Sequence, residues 1–375
     1  MANILIIGGG FAGLVAAEKL AASVDRSHQI TLVAPNRNFT FFPALVELAL
    51  GECEAVDISF DLAQKLKNIG VRFVHGELIR ISKGLKKAVV TGADFNGEIA
   101  YDFLLIAMGR RLATEKVGGF FEHSHHILGV NAAARFGKAL ESFQEGTIVV
   151  GMCPSARLPV PVCETAFALA RRFGPKIEDG TVKIKAIFPE SLSSAFGGAD
   201  LHKQLESAFA KFKISVLYDV PVTEITPTEL RSAQKHGIGY DLLMLVPPFR
   251  GQAILNDLGI TDSEDFVLVD DRMKVQGLSN AYAAGDIVAF SGPKFAHMAV
   301  RQAEVAAANI ALAIAGDEPN RKYYHEIAAV IDAGGPESIY LRYGIWDDDL
   351  HKLKQGKFWT WAKEMHDTLW RARHR

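Results

Sequence analysis

The N-terminal stretch 3–20, NILIIGGGFAGLVAAEKL, constrains the fold of this 375-residue chain most tightly. Its apolar residues Ile4–Ile7 are typical of a strand that is buried on both faces of a parallel sheet. Gly8, Gly10 and Gly13 follow in G-x-G-x-x-G spacing, and a helix pattern starts directly behind them. The first glycine permits a tight turn, the second lets backbone N–H groups approach a diphosphate, and the third lets the helix pack on the strand. The stretch therefore predicts a dinucleotide site in a Rossmann-like domain.

The overall composition excludes several other classes of protein. With 49% hydrophobic residues the chain can bury the cores of two domains, and its formal net charge of -2 argues against a nucleic-acid partner. Three cysteines are too few for a disulfide scaffold, so we expect a reducing compartment. No charged segment precedes the first strand and no apolar run reaches the ~20 residues of a membrane span, so we expect neither a signal peptide nor a transmembrane helix. The twelve histidines match no metal-binding spacing, and we expect no metal site.

The chain order predicts an α/β fold with two Rossmann-like domains, the first split by the second. Tyr101–Arg111 reads as the strand by which the chain leaves the first domain, and a second α/β unit starts near Thr147. Asp241–Pro248 and Ala281–Ile287 read as strands that lead back. The predicted boundaries are 1–112 with 250–325 for the first domain, 113–249 for the second, and 326–375 for a C-terminal segment.

The second α/β unit lacks the glycine pattern of the first. Its predicted strand runs into Gly151–Ala156, GMCPSA, where Pro154 has no N–H group and the later glycines are missing. A diphosphate could not be held there in the same way. NAD(P)H is therefore a poor candidate as electron donor.

Three glycine-containing motifs together resemble those of the pyridine nucleotide-disulfide oxidoreductase superfamily: GGGFAG at Gly8–Gly13, IAMG at Ile106–Gly109 and YAAGD at Tyr282–Asp286. The resemblance implies FAD, with Asp286 hydrogen-bonded to the ribityl chain and the following helix directing its N-terminus, with the cation of Lys294, at the pyrimidine end of the flavin. Asn36 replaces the usual acidic residue near the ribose. The expected FAD-binding residues are Gly8, Gly10, Phe11, Ala12, Gly13, Pro35, Asn36, Ala107, Gly109, Arg110, Gly285, Asp286, Lys294 and Ala296.

Within that superfamily the chain is most similar to sulfide:quinone oxidoreductases and flavocytochrome c sulfide dehydrogenases. Tyr240–Arg250, Pro293–Met298 and the aromatic segment Asn38–Pro43 carry this likeness. It implies transfer of electrons from a small donor through FAD to a membrane quinone. Relatives with covalent flavin place a cysteine in the segment that here reads Phe39–Phe42, so non-covalent FAD is implied. The residues expected beside the quinone are Phe41, Phe42, Phe295 and His297, although core packing explains the phenylalanines equally well.

The family's redox cysteines are missing from this chain. Their matching positions are Leu158 and Ala329. Cys153 and Cys163 are candidates for a substitute pair, and we expect the dipole of a following helix to lower the pKa of Cys163. The alternative is that both are small buried apolar residues. The candidate catalytic residues are therefore Cys163, Cys153 and Lys294.

The C-terminal stretch 357–375 has the pattern of an amphipathic helix. At 100° per residue its apolar side chains form one stripe, and the chain ends in a basic cluster. This pattern favours a helix lying in a membrane interface, and docking on the protein's own core or on a second copy in a homodimer is the alternative. The stripe consists of Phe358, Trp361, Ala362, Met365 and Leu369, with Trp359 and Trp370 on its flank.

These observations predict an FAD-dependent oxidoreductase bound peripherally to the cytoplasmic face of a membrane, with quinone as acceptor. A type II NADH dehydrogenase is the first alternative, because Ala299–Ile310 is somewhat similar to that family. A flavin-binding sensor or assembly partner without turnover is the second, because the cysteines and the second glycine loop are lost.

Overall fold

The computed structural model describes residues 1–232, 235–347 and 349–375. Numbered along the chain, its strands are β1 Asn3–Ile7, β2 Gln29–Ala34, β3 Asn38–Thr40, β4 Ser59–Asp61, β5 Arg72–His75, β6 Glu77–Ser82, β7 Lys87–Thr91, β8 Gly97–Ala100, β9 Phe103–Ile106, β10 Arg111–Leu112, β11 Gly146–Met152, β12 Val182–Ile187, β13 Ser215–Leu217, β14 Val222–Ile225, β15 Glu229–Ser232, β16 Lys235–Gly239, β17 Leu242–Val246, β18 Phe249–Arg250, β19 Ala281–Ala283, β20 Glu326–Ile331, β21 Ile339–Gly344 and β22 His351–Gln355. The α-helices are α1 Phe11–Ser23, α2 Leu45–Leu50, α3 Leu62–Asn68, α4 Phe120–His123, α5 Val130–Ser142, α6 Val160–Arg172, α7 Gly174–Glu178, α8 Leu192–Ala195, α9 His202–Lys211, α10 Ala296–Ala315 and α11 Phe358–His374.

The first sheet is parallel throughout, in the order β19-β9-β1-β2-β5. Strands from both ends of the chain therefore share one sheet. Residues 4–7 of β1 are buried, as a strand covered by helices on both faces requires. Helices α1 and α10 pack against each other beside this sheet. The architecture confirms the predicted Rossmann-like α/β fold.

The second sheet is also parallel, in the order β13-β12-β11-β17. It lies within the segment 113–249 that the sequence assigns to a second domain. Antiparallel layers are added at β6-β7-β8, β14-β15-β16 and β20-β21-β22. The last of these, with α11, forms the C-terminal segment.

Helix α10 is, among the described residues, the one helix long and apolar enough to cross a membrane by length and composition. Its small side chains Ala303, Ala306 and Ala307 are buried in the core. The helix begins at Ala296. Its N-terminus therefore comes directly after Lys294 and Phe295.

Candidate active site

A cavity of about 2050 Å³ is lined by residues from both ends of the chain. The N-termini of α1, α6 and α10, the strand β20 and one face of α11 all contribute to its walls. A pocket for one drug-sized ligand measures roughly 300–1,000 Å³. The cavity is therefore large enough for a dinucleotide together with a second ligand.

The glycine loop forms the base of the cavity. A Cβ atom at Gly8, where φ is +116°, would lie 2.1 Å from the carbonyl oxygen of Ala107, and one at Gly13 would lie 1.9 Å from that of Gly8. Both positions need glycine so that strand, loop and helix can approach each other. At Gly10 a Cβ would meet no protein atom within 4 Å. The open space beside Gly10, next to the free N–H groups at the start of α1, fits the diphosphate of FAD.

Arg110 and Asp286 form an ion pair at the cavity wall. The Arg110 guanidinium lies 4.2 Å from the centre of the Phe249 ring, and its Nε atom is buried without a hydrogen-bond partner in the described part of the chain. A buried donor of this kind is costly unless an acceptor meets it. A phosphate or hydroxyl oxygen of FAD would satisfy it, so Arg110 and Asp286 fit the cofactor as a pair.

Lys294 and His297 flank the start of α10 at the cavity, and both are desolvated. The Lys294 ammonium donates to the carbonyl of Val288 and lies 4.7 Å from the centre of the Phe266 ring. Burial lowers the pKa of Lys294 well below its usual value. Burial also lowers the pKa of His297 to about 4, and its neutral Nε2 lies 3.0 Å from the Ala328 N–H group. His297 thus ties β20 to α10.

The expectation of a lowered pKa for Cys163 is wrong. Cys163 lies inside α6, which begins at Val160, and both Cys163 and Cys153 are completely buried. Burial raises the pKa of both thiols, which is the opposite of the lowering expected for Cys163. They belong to separate apolar clusters, and neither lines the cavity. Both side chains therefore pack as small apolar groups.

The positions that match the family's cysteines do lie at the cavity. Leu158 and Ala329 both line it, so the place of the thiols is taken by apolar side chains. The third cysteine, Cys53, is half-buried, and its thiol lies 3.9 Å from the carbonyl of Ala44. Among the described residues no thiol reaches the cavity.

A buried carboxyl group, Glu164, faces the cavity from α6 and was not singled out by the sequence analysis. Its Oε1 accepts a hydrogen bond of 3.0 Å from the Asp332 N–H group and lies 4.0 Å from Lys363 Nζ. Burial raises the pKa of Glu164 to about 7, although Lys363 opposes the shift. The same ammonium lies 3.4 Å from Asp367 and 3.9 Å from Glu47. Only the three-dimensional fold shows this cluster, because α2, α6 and α11 are far apart in sequence.

An aromatic wall closes another side of the cavity. Trp370 of α11 packs with ring-centre distances of 4.8 Å to Phe11, 5.3 Å to Phe39 and 5.1 Å to Phe41. Phe41 is buried, whereas Phe42 is 41% exposed. The phenylalanines thus both pack in the core and line the cavity, so the two interpretations of this segment are compatible.

The C-terminal helix packs on the protein through its polar face. His374 lies 2.7 Å from Glu18 of α1, and Lys65 of α3 pairs with the same carboxylate at 3.1 Å. The large side chains of the apolar stripe face outward, with exposed fractions of 57% for Phe358, 53% for Trp361, 43% for Met365 and 61% for Leu369, whereas Ala362 lines the cavity. Trp359 and Trp370, on the flank, line the cavity instead.

The structure brings nearly all of the predicted FAD and quinone residues to this one cavity. Gly13 is the exception, because it packs against Gly8 behind the loop. Residues that sequence reasoning missed include Ile127–Ala132 before and within α5 and the charged cluster around Lys363. The lining residues that were predicted are Gly8, Gly10, Phe11, Ala12, Pro35, Asn36, Phe41, Phe42, Ala107, Gly109, Arg110, Gly285, Asp286, Lys294, Phe295, Ala296 and His297.

Other protein atoms occupy the space beside the second loop, Gly151–Ala156. A Cβ at Gly151 would lie 2.2 Å from the side chain of Ile187, and the Ser155 carbonyl accepts a hydrogen bond from the Phe249 N–H group. Arg157 crosses behind the loop and donates to the carbonyls of Gly292, at 2.7 Å, and Phe290. No helix starts at the loop itself, in contrast to the first one.

Comparison with known proteins places the chain in a family. The mitochondrial sulfide:quinone oxidoreductase of Mus musculus is 23% identical over 86% of this chain and 73% of that protein. The demethylphylloquinone reductase NdbB of Synechocystis is 24% identical over 76% of this chain and 71% of that protein. The crystal structure of the sulfide:quinone oxidoreductase of Aquifex aeolicus has the same fold, with a TM-score of 0.93 at 22% identity over 100% of this chain and 92% of that one. Residues 2–303 match the family model, and the chain belongs to the pyridine nucleotide-disulphide oxidoreductase family of FAD-dependent oxidoreductases.

Proposed function

We propose that this protein uses non-covalent FAD to reduce a membrane quinone, with electrons from a small donor that reacts without any protein thiol. The observation that carries the proposal is the single cavity that joins the glycine-loop cradle to an apolar wall and a buried acid. The relatives named above act on quinones, by their names. When bound, FAD would supply the electron-pair chemistry that the side chains lack.

The residues of the cradle would bind and orient the cofactor. Gly8, Gly10 and the N-terminus of α1 would receive the diphosphate, and Arg110 would donate Nε to one of its oxygens or to the ribityl chain. The N-terminus of α10 would face the flavin ring. Because Lys294 is desolvated, a negative charge arriving nearby would favour its protonated form.

The quinone would lie against Phe41, Phe42 and Phe295, near the carboxyl group of Glu164. A group whose pKa is about 7 can hold a proton at neutral pH and give it up to a developing phenolate. Lys363 stays protonated, since Glu164, Asp367 and Glu47 all raise its pKa. Its charge would hold these carboxylates in place.

The apolar stripe of α11 would place the cavity at the membrane surface. Four large apolar side chains are exposed on the outer face of a helix whose other face lines the cavity. Such a patch marks a membrane or protein contact. We favour the membrane, at its cytoplasmic face, because the basic residues Arg371, Arg373 and Arg375 follow the stripe. The C-terminal segment 326–375 would then be the quinone and membrane segment, while 1–112 with 250–325 would hold FAD.

The experiment is anaerobic mixing of dithionite-reduced, FAD-loaded protein with a soluble short-chain quinone, followed by flavin absorbance. The proposal predicts rapid reoxidation. The rate should fall as pH rises through about 7, because Glu164 then loses the proton that it donates. In Glu164→Gln, which has no proton to donate, the rate should be lower and should lack this alkaline fall. Absence of quinone-dependent reoxidation in the wild type would overturn the proposal.

A further inference from the structure

A line of titratable side chains runs from the outer surface of α11 to the buried acid at the cavity. His366, with its side chain 72% exposed at the cavity mouth, lies 3.1 Å through Nδ1 from Oδ1 of Asp367. The other oxygen of Asp367 lies 3.4 Å from Lys363 Nζ, which lies 4.0 Å from Glu164. Three short steps thus join solvent to the interior.

We propose that His366 and Asp367 are the entry of a proton relay that resupplies Glu164 during quinone reduction. The inference rests on the proposed function. It adds the source of the protons and gives a role to His366, a residue that the sequence analysis did not select. His366 and Asp367 would be positioning and proton-carrying residues, since neither needs to touch the quinone.

Proton and electron counts require such a source. Reduction of a quinone to a hydroquinone adds two electrons and two protons. Bound FAD would supply the electron pair and one proton as a hydride equivalent, and Glu164 would give the second proton to the quinone oxygen. The Glu164 carboxylate that remains is buried and must be reprotonated before the next turnover.

The relay would return that proton in three transfers. Protonated His366 gives its Nδ1 proton to Asp367 and recovers one from solvent. The ammonium of Lys363 then gives a proton to Glu164 as it takes one from the Asp367 carboxyl group, so its own charge is unchanged. The 4.0 Å between Lys363 Nζ and Glu164 Oε1 is longer than a direct hydrogen bond, so this transfer would run through a bridging water.

Two further observations fit this role. The Oδ2 atom of Asp367 is buried, makes no hydrogen bond within the described residues and lies 3.4 Å from Lys363 Nζ, so it faces the next member of the relay. The hydrogen bond to Asp367 raises the pKa of His366, which favours the protonated form that can donate a proton. Other charged or titratable groups lie close to the relay residues. They are Glu47 from α2, His297 from α10, Asp332 after β20 and Arg371 on α11.

The test compares His366→Gln with His351→Gln, a matched change at an exposed histidine of β22 that does not line the cavity. In single-turnover reoxidation by a soluble quinone the first reaction should survive, because Glu164 starts protonated. Steady-state turnover of His366→Gln should fall roughly tenfold or more, and added imidazole should restore it, because general acid–base groups contribute about 10²–10⁴-fold. His351→Gln should match the wild type in both assays.

A second readout needs no turnover. Proton NMR titration of the histidine rings in the holoprotein should give His366 a pKa above the usual ~6.5, and Asp367→Asn should lower it. A steady-state rate of His366→Gln equal to that of the wild type at every pH would overturn the relay while leaving quinone reduction intact. A His366 pKa that does not change in Asp367→Asn would overturn it as well. A wild type that reduces no quinone would overturn both proposals.

Discussion

The two loops that follow the first strand of each parallel sheet differ in what occupies them. After β1 the chain turns through Gly8, starts α1 at Phe11 and leaves open space beside Gly10. After β11 the loop contains Pro154, is closed by Arg157 and Phe249, and reaches its helix only at Val160. Strands β1 and β11 hold equivalent places in their sheets, but β1 leads into an open loop and β11 into a loop that is packed with protein side chains. Local side chains, and not sheet topology, decide which half can hold a dinucleotide.

The largest expected effect comes from filling the open space of the first loop. Gly10→Val adds side-chain atoms where FAD is expected but meets no protein atom, so the apoprotein should fold normally. Bound FAD should fall by roughly tenfold or more, since each 1.4 kcal/mol of lost contact costs that factor. Flavin absorbance of the purified protein measures this. Gly84→Val is the matched control, because Gly84 also has no neighbour within 4 Å, and retained FAD in Gly10→Val would remove the cradle from the account.

The next largest effect is expected from removing the arginine side chain that packs behind the second loop. Arg157→Met would leave the carbonyls of Gly292 and Phe290 without the donor that they have now. The free energy of unfolding should fall by about 2 to 4 kcal/mol, because two partly buried carbonyl groups lose their charged donor. Denaturant unfolding measures it, with Arg80→Met at an exposed arginine as control. Equal stability of the two variants would mean that Arg157 does not hold the loop closed.

These two loops also show what sequence reasoning could reach. The glycine spacing and Pro154 are local signals. A few adjacent residues were therefore enough to predict a dinucleotide site at the first loop and its loss at the second. The exact starts of α6 at Val160 and of α10 at Ala296 could not be predicted, because helix ends depend on caps that apolar periodicity does not record. The burial of Cys163 and the meeting of Glu164 with Lys363 depend on contacts between distant segments. No local sequence pattern could predict these contacts.

A smaller effect is expected at the buried thiol of α6. Cys163→Ala removes only the sulfur from a packed core, so the free energy of unfolding should fall by about 1 kcal/mol. The rate of flavin reoxidation by quinone should not change, because the thiol does not line the cavity. Thermal unfolding and stopped-flow absorbance measure the two quantities. A large loss of rate with unchanged stability would restore a redox role to this cysteine.

The smallest effect is expected from changing the second loop toward the first. Pro154→Gly restores one N–H group but leaves Arg157 and Phe249 in place, so no nucleotide cradle opens. NADH should fail to bleach the flavin in the variant, as in the wild type. Rapid bleaching of the wild-type flavin by NADH would favour a type II NADH dehydrogenase and would make the second loop a working site.

The most direct test that electron transfer from FAD to quinone needs no protein thiol uses a chain without cysteine. Cys53, Cys153 and Cys163 would be replaced together by alanine, and the FAD-loaded protein would be reduced with dithionite and mixed anaerobically with a soluble quinone. We predict reoxidation at the wild-type rate, because no thiol of the described residues reaches the cavity. Reoxidation that is abolished in a folded, FAD-loaded variant would contradict it.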